Sequence, residues 1–343
     1  PSGAMRYNYP SVPHQGKELK SIANVFTVEA AKLNLKLTPS LLLHNYKAGT
    51  LLIDSLGRSA HFLPKQFEGL PAFVVPYGIE HTASTGLELW LGALSYGFAE
   101  AILLLSGDED PAYREALANQ VKLANAVLNA YGFEDRIQLL MTDSQNDLSL
   151  VSKAMGNLRQ RGSLKPICSP ASFGLSNQKR ETLEAVLEYL QKQAKTPLPE
   201  AGATLTKHSL LGGLAINQDA CTLCMSCVSS CPEGALIDNP DEPILSFIEK
   251  QCVQCGICTQ TCPEQALNLE PRLQTVERRK QKQILNQAPA FHCISCGKPF
   301  GTAKMVDLML AKLGAHGAFA GAAMDRLKMC SDCRVVDMVK KET

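Results

Sequence analysis

The sequence predicts an α/β domain built on a parallel sheet, followed by a smaller cysteine-rich α+β domain and a metal-stapled C-terminal segment. Three observations carry this reading. Apolar runs of strand length alternate with amphipathic helical stretches in the first part of the chain, a breaker-rich stretch follows at residues 195–204, and twelve of the thirteen cysteines lie from Cys221 to Cys333. At 343 residues the chain is too long for one ordinary core and has the length of two or three domains.

The elements follow in order. Ala72-Phe73-Val74-Val75 is an apolar run suited to a buried strand, residues 86–96 make a helix candidate, and residues 101–105 form a second apolar run. The clearest helix comes next. Asp110 caps it, Pro111 takes the first helical position, Tyr113, Ala116, Leu117, Ala124, Val127, Leu128 and Tyr131 form its apolar stripe, and Gly132 ends it. Residues 136–141 supply a third strand. Strand, helix, strand, helix, strand is the order of a parallel sheet with right-handed crossovers. A further helix spans residues 178–193, with Leu183, Val186, Leu187 and Leu190 on one face. The expected division is an α/β docking domain at 1–195, a linker at 196–210, a cysteine domain at 211–272, and a C-terminal segment at 273–343 that opens with a connecting helix. The basic run Arg278-Arg279-Lys280-Gln281-Lys282 reads as the solvated face of that helix.

Composition excludes several classes. Hydrophobic residues at 45% and charged residues at 20% are globular values, and 34 Lys+Arg against 33 Asp+Glu leave a net charge of +1, with no field to draw nucleic acid. Residues 1–30 lack a charged stretch followed by an apolar one, so a cytoplasmic protein is expected. The longest apolar window, residues 87–105, contains Glu88 and Glu100 and is broken by Gly97, which predicts helix, turn and strand in place of a membrane span.

The cysteines carry the chemistry. Cys221, Cys224, Cys227 and Cys231-Pro232 recur as Cys252, Cys255, Cys258 and Cys262-Pro263 at a constant offset of 31 residues. C-x2-C-x2-C-x3-C-P is the run with which bacterial ferredoxins hold [4Fe-4S] clusters, and two copies are present. Ligands at every third residue wrap three corners of a cube, and the fourth cysteine leaves at another angle to reach the second cube. The expected ligands of the first cluster are therefore Cys221, Cys224, Cys227 and Cys262. Those of the second are Cys252, Cys255, Cys258 and Cys231. Zinc knuckles need only paired C-x-x-C units and do not call for the third cysteine or the trailing Cys-Pro. Residues 214–271 resemble a bacterial-type dicluster ferredoxin domain, with Ile216 and Asp219 ahead of the first motif and Ile237 and Leu269 where that fold places strands. No ligand position is left open, so such clusters pass electrons and bind no substrate.

Cys293-Ile294-Ser295-Cys296-Gly297 and Cys330-Ser331-Asp332-Cys333 are two further C-x-x-C units, 33 residues apart. They predict a tetrahedral site of four sulfurs, with structural zinc as first choice. A single iron has the same ligands, and a third cluster or free redox thiols stay open. His292 reads as a surface residue. The site is expected to add stability and no electrons, leaving the two cubes unaffected when it is broken.

Residues 205–339 resemble bacterial 4Fe-4S binding proteins that join a dicluster ferredoxin to Cys-x-x-Cys-Gly-Lys-Pro-Phe and Arg-Leu-Lys-Met-Cys-x-x-Cys-Arg segments. The resemblance implies association with formate dehydrogenase or a related molybdoenzyme. From Ser84-Thr85-Gly86 to Met141 the chain resembles the small delta subunit that links hydrogenase to heterodisulfide reductase. Members of that family carry [2Fe-2S] cysteines; Ser84 stands at one such position here, so only a docking shape is implied. The loop from Pro76 to Gly86, with a partly buried His81, lacks G-x-G-x-x-G and G-x-x-x-x-G-K-[ST] and so lacks a nucleotide signature. The function that follows is iron–sulfur electron transfer by a non-catalytic subunit or partner of a larger oxidoreductase. The alternative is an assembly or redox-sensing factor whose clusters are structural.

Overall fold

Ser40-Leu41-Leu42-Leu43-His44-Asn45 has three successive leucines and is buried at every position, the composition of a strand covered on both faces. The apolar-run reading passed over it, yet it is an interior strand of the sheet in the first of two units, Pro1–His208 and Ser209–Thr343. The computed structural model describes residues 11–107, 109–142, 147–313 and 321–340.

The first unit runs α1 (Val12–Lys32), β1 (Ser40–Asn45), α2 (Ala48–Phe62), β2 (Val74–Ile79), α3 (Leu87–Ser95), β3 (Glu100–Leu105), α4 (Pro111–Ala130), β4 (Ile137–Met141), α5 (Leu148–Arg161), α6 (Lys179–Lys192) and the two-residue β5 (Ala203–Thr204). Strands β1 to β4 form a parallel sheet in the order β2-β1-β3-β4. The direction of winding reverses at β1, so right-handed crossovers put α2 and α3 on opposite faces. On one face Leu42, Ile102 and Leu104 meet Leu52 and Leu56 of α2 and Val151, Met155 and Leu158 of α5. Helix α3 is buried along its whole length and packs against α1, α4 and α6.

Several expectations change in detail. The sheet has four strands where three were expected, and α1, α2 and α5 were not foreseen. Strand β2 continues through Pro76 to Ile79, so those residues are strand and the loop proper starts at Glu80. In α4 the Asp110 side chain accepts from the Ala112 amide at 2.8 Å, but Tyr113 and Ala116 are exposed; Val121 and Leu123 are buried instead. The window 87–105 is helix, a turn at Gly97 with φ +109°, and strand. Glu100 at the start of that strand is fully buried, accepting from Ser40 Oγ at 2.8 Å and Gln138 Nε2 at 2.8 Å and paired with Arg161. Among the described residues no helix is long and apolar enough to cross a membrane.

His44 gives this unit a pH dependence. Its ring is buried beside Gly49, and Nδ1–H donates to the Asn45 carbonyl at 3.0 Å. Burial holds its pKa below the ordinary 6.5, with the Asn45 hydrogen bond and the Asp54 charge opposing in part. Above pH 6.5 the ring is neutral both folded and unfolded. Below it the unfolded chain takes up the proton first, so stability falls towards the folded pKa by up to about 1.4 kcal/mol per pH unit. Urea melts followed by the single tryptophan, the buried Trp90, should show this slope, and His44→Gln should flatten it. Equal slopes in the two proteins would assign the pH dependence elsewhere.

The second unit runs β6 (Gly212–Ile216), α7 (Ser226–Ser229), β7 (Leu236–Ile237), β8 (Ile244–Ile248), the turn Glu249–Gln251, α8 (Ile257–Thr261), β9 (Leu267–Leu273), α9 (Val276–Lys280), β10 (Lys282–Gln287), β11 (Ala290–His292), β12 (Pro299–Thr302), α10 (Ala303–Leu313), α11 (Ala322–Arg326) and α12 (Ser331–Lys340). Strands β6 and β9 pair antiparallel, as do β7 with β8 and β8 with β10. Their inner residues Leu214, Leu236, Leu245, Phe247, Leu267 and Leu285 surround Cys227 and Cys258. The basic run is solvated at Arg278, Lys280, Gln281 and Lys282, with one exception. Helix α9 has five residues, Arg279 in it is fully buried, and Lys282 opens β10, whose Leu285 enters the core.

Candidate metal centres

The sequence repeat is also a repeat of backbone conformation. Leu223 and Gln254 both have φ +56°, and Met225 (φ +60°) corresponds to Gly256 (φ +78°), each pair 31 residues apart. Left-handed conformation is costly for non-glycine residues, and it buys a loop whose amides turn inwards. The Leu223 amide donates to Cys221 Sγ at 3.4 Å, and the Gln254 amide to Cys252 Sγ at 3.4 Å. The Ala266 amide donates to Cys262 Sγ at 3.3 Å. These left-handed residues were not foreseen; no single residue marks them, and the only cue is that they occupy matching places in the repeat.

Two cavities bring the cysteines together across the motifs. One is lined by Cys221, Cys224 and Cys227 of the first motif and Cys262 of the second, with Leu245 and Leu267. The other is lined by Cys252, Cys255 and Cys258 with Cys231 of the first motif, and by Phe247 and Leu269. Burial repeats as well: Cys227 and Cys258 are buried, Cys224 and Cys255 exposed, and the other four intermediate. Burial pushes the Cys227 thiol up to about 12, helped by the charges of Cys221, Cys224 and Cys258. It pushes Cys258 up to about 11, helped by Cys252, Cys231 and Cys255. Thiols so crowded are stable as a set of anions only around a cation.

The four remaining cysteines of this unit form a separate group. Strands β11 and β12 make a hairpin that holds Cys293 and Cys296 in a tight turn, with Gly297 at φ +74° and the Gly297 amide donating to the Cys293 carbonyl at 2.9 Å. Cys330 precedes α12 and Cys333 lies in its first turn. All four sulfurs fall within 4.8 Å of one another, and Cys296 Sγ is 3.8 Å from Cys330 Sγ. A tetrahedron with bonds of about 2.3 Å has edges of that length. Burial raises the Cys293 thiol, but the amides of Cys330, Cys296 and Ser295 outweigh it and bring it down to about 6; the hydrogen bond with Cys296 sends Cys333 up to about 12. Cys293 is thus ready as a thiolate while Cys333 keeps its proton until a cation arrives. His292 is exposed.

Residues 220–267 match the 4Fe-4S dicluster domain family. The match spans both repeated motifs, and no curated protein matches the chain. Eight soft sulfur donors, inward amides and apolar walls fit iron–sulfur cubes, so the dicluster domain is a cluster-binding domain. The Cys293, Cys296, Cys330 and Cys333 group has the donor geometry to hold a metal ion.

The first unit supplies a single cysteine, Cys168, whose thiol burial pushes up to about 11. Ser84 closes the 3-10 turn Thr82–Ser84, its hydroxyl donating to the His81 carbonyl at 2.6 Å. His81, expected to be partly buried, has a side chain 66% exposed, because the loop carries it outwards to within 4.0 Å of Glu109.

Proposed function

We propose that the protein is an iron–sulfur electron-transfer protein carrying two [4Fe-4S] clusters and working as a redox subunit or partner of a larger oxidoreductase. The crossed lining of the two cavities supports this best. Each combines three cysteines of one motif with the fourth of the other, the interlocked ligand pattern of two-cluster ferredoxins. Bound cubes supply one-electron carriers. The residues do the rest: Cys221, Cys224, Cys227 and Cys262 hold one, Cys252, Cys255, Cys258 and Cys231 the other, and the apolar walls keep water from the inner sulfurs. The exposed Cys224 and Cys255 are the ligand positions nearest an external partner. Zinc at the four-cysteine site suits the pairing of a hairpin turn with the first turn of a helix. The α/β unit is the docking domain, in the cytoplasm, with formate dehydrogenase or a related molybdoenzyme as partner.

Anaerobic reconstitution should give about eight irons and eight sulfides per chain, with one further metal. Elemental analysis with EPR of the reduced protein checks this. Four irons or fewer after full loading would sink the two-cluster reading. Affinity purification from the native host under anaerobic conditions should recover a stoichiometric oxidoreductase complex; association with only an immature enzyme would point to an assembly factor.

A further inference from the structure

The two cluster loops are matched in sequence but not in how they are held. In the second, the Gln254 side chain anchors the loop from within, donating to the Gly213 carbonyl of β6 at 2.9 Å and to Cys252 Sγ at 3.3 Å. The equivalent residue in the first is Leu223, which has no polar group to do this. The first loop is instead gripped by the C-terminal metal module. Thr302, at the end of β12, donates its hydroxyl to the Thr222 carbonyl at 3.1 Å, and both residues are almost fully buried. The same oxygen accepts from the Met305 amide at 3.1 Å, capping α10. Further along α10, Lys312 pairs with Glu264 at 3.7 Å, two residues past Cys262 and on the wall of the same cavity. Glu233, the counterpart of Glu264 in the other motif, is exposed and lies in no ion pair among the described residues.

Both contacts therefore land on segments that carry ligands of one cluster, the three-cysteine loop and the fourth cysteine. We propose that the site of Cys293, Cys296, Cys330 and Cys333 is a clamp on the first cluster: metal held there fixes the hairpin that presents Thr302, and so sets the lifetime of that cluster and not of its twin. This rests on the two-cluster reading above. A four-sulfur site that staples so small a hairpin loses its fold without metal, and Thr302 loses its position with it. The site is then more than a local staple, and the expectation that breaking it leaves both cubes unaffected is replaced by a selective loss.

The test uses the full chain, reconstituted anaerobically and challenged with an iron chelator in the presence of iodoacetamide. Peptide mapping then reports which cysteines are freed and how fast. Cys296→Ser should lose the third metal and accelerate labelling of Cys221, Cys224, Cys227 and Cys262 by about tenfold, while Cys231, Cys252, Cys255 and Cys258 keep the wild-type rate. Thr302→Val should keep the metal and show the same selectivity at about fivefold, as expected for one buried hydrogen bond. Equal acceleration of both sets, or of neither, overturns the clamp. A wild-type chain that never holds about eight irons overturns the two-cluster reading instead, and the clamp falls with it.

Discussion

Cys231→Ser is expected to strip the cluster of the second motif, although Cys231 belongs to the first in sequence. Iron should fall from about eight to about four per chain, and alkylation should free Cys252, Cys255 and Cys258. Cys231 lines the cavity of those three cysteines, and its charge is one of those that raise the Cys258 thiol once burial has done so. A serine hydroxyl is a harder and far less acidic ligand than a thiol, so the corner it serves is opened. The mirror change, Cys262→Ser, should free Cys221, Cys224 and Cys227. Loss of the first motif's cluster from Cys231→Ser would show that each motif fills its own cube and that the crossed lining does not reflect ligation.

Much of the cysteine arrangement was legible because it is written locally. Ligands at every third residue, repeated at a fixed offset, leave little freedom in how thiolates converge. The second pair of C-x-x-C units was legible for the same reason, as turn and helix-start geometry. Its contact with the first cysteine loop was not. Thr222 and Thr302 are 80 positions apart, and a hydroxyl meeting a carbonyl leaves no trace in spacing or hydropathy. The left-handed Leu223 and Met225 were equally hidden, since neither side chain favours that conformation.

The α/β unit divides along similar lines. Helix α4 announced itself by cap, proline and stripe, whereas α1 and α2 carry apolar residues on their outer faces: Val25 is 60% exposed, Leu51 64% and Phe62 75%. Such helices show no clean face, so periodicity does not mark them. Strand β1 is short, and three leucines between polar ends satisfy helix and strand templates alike. Only its neighbours β2 and β3, through parallel pairing on both sides, make it a strand. At residues 278–282 charge suggests solvent, and four of the five residues are exposed, but Arg279 is buried on α9, which packs against the turn Glu249–Gln251.

That turn is the seat of the second large effect. Glu249 is fully buried, and its Oε2 accepts from Arg272 Nη2 at 2.7 Å and Nε at 3.2 Å. Its carbonyl accepts from the Cys252 amide at 3.1 Å, so the carboxylate fixes the backbone at the entry to the second cluster loop. Glu249→Gln keeps the shape and removes the charge, leaving the Arg272 guanidinium against a neutral amide. Breaking a fully buried ion pair from one side costs about 3–5 kcal/mol; Arg272 keeps 21% of its side-chain exposure, so a loss of about 2–3 kcal/mol is expected. Replacing both partners, with Glu249→Gln and Arg272→Met, should recover at least about 1 kcal/mol of that loss. The urea midpoint for bleaching of cluster absorption measures it, and labelling of Cys252 should rise first in the single variant. A coupling below about 0.5 kcal/mol would mean that Arg272 is served by Glu270, which accepts from its Nη1, and that Glu249 owes its burial to packing alone.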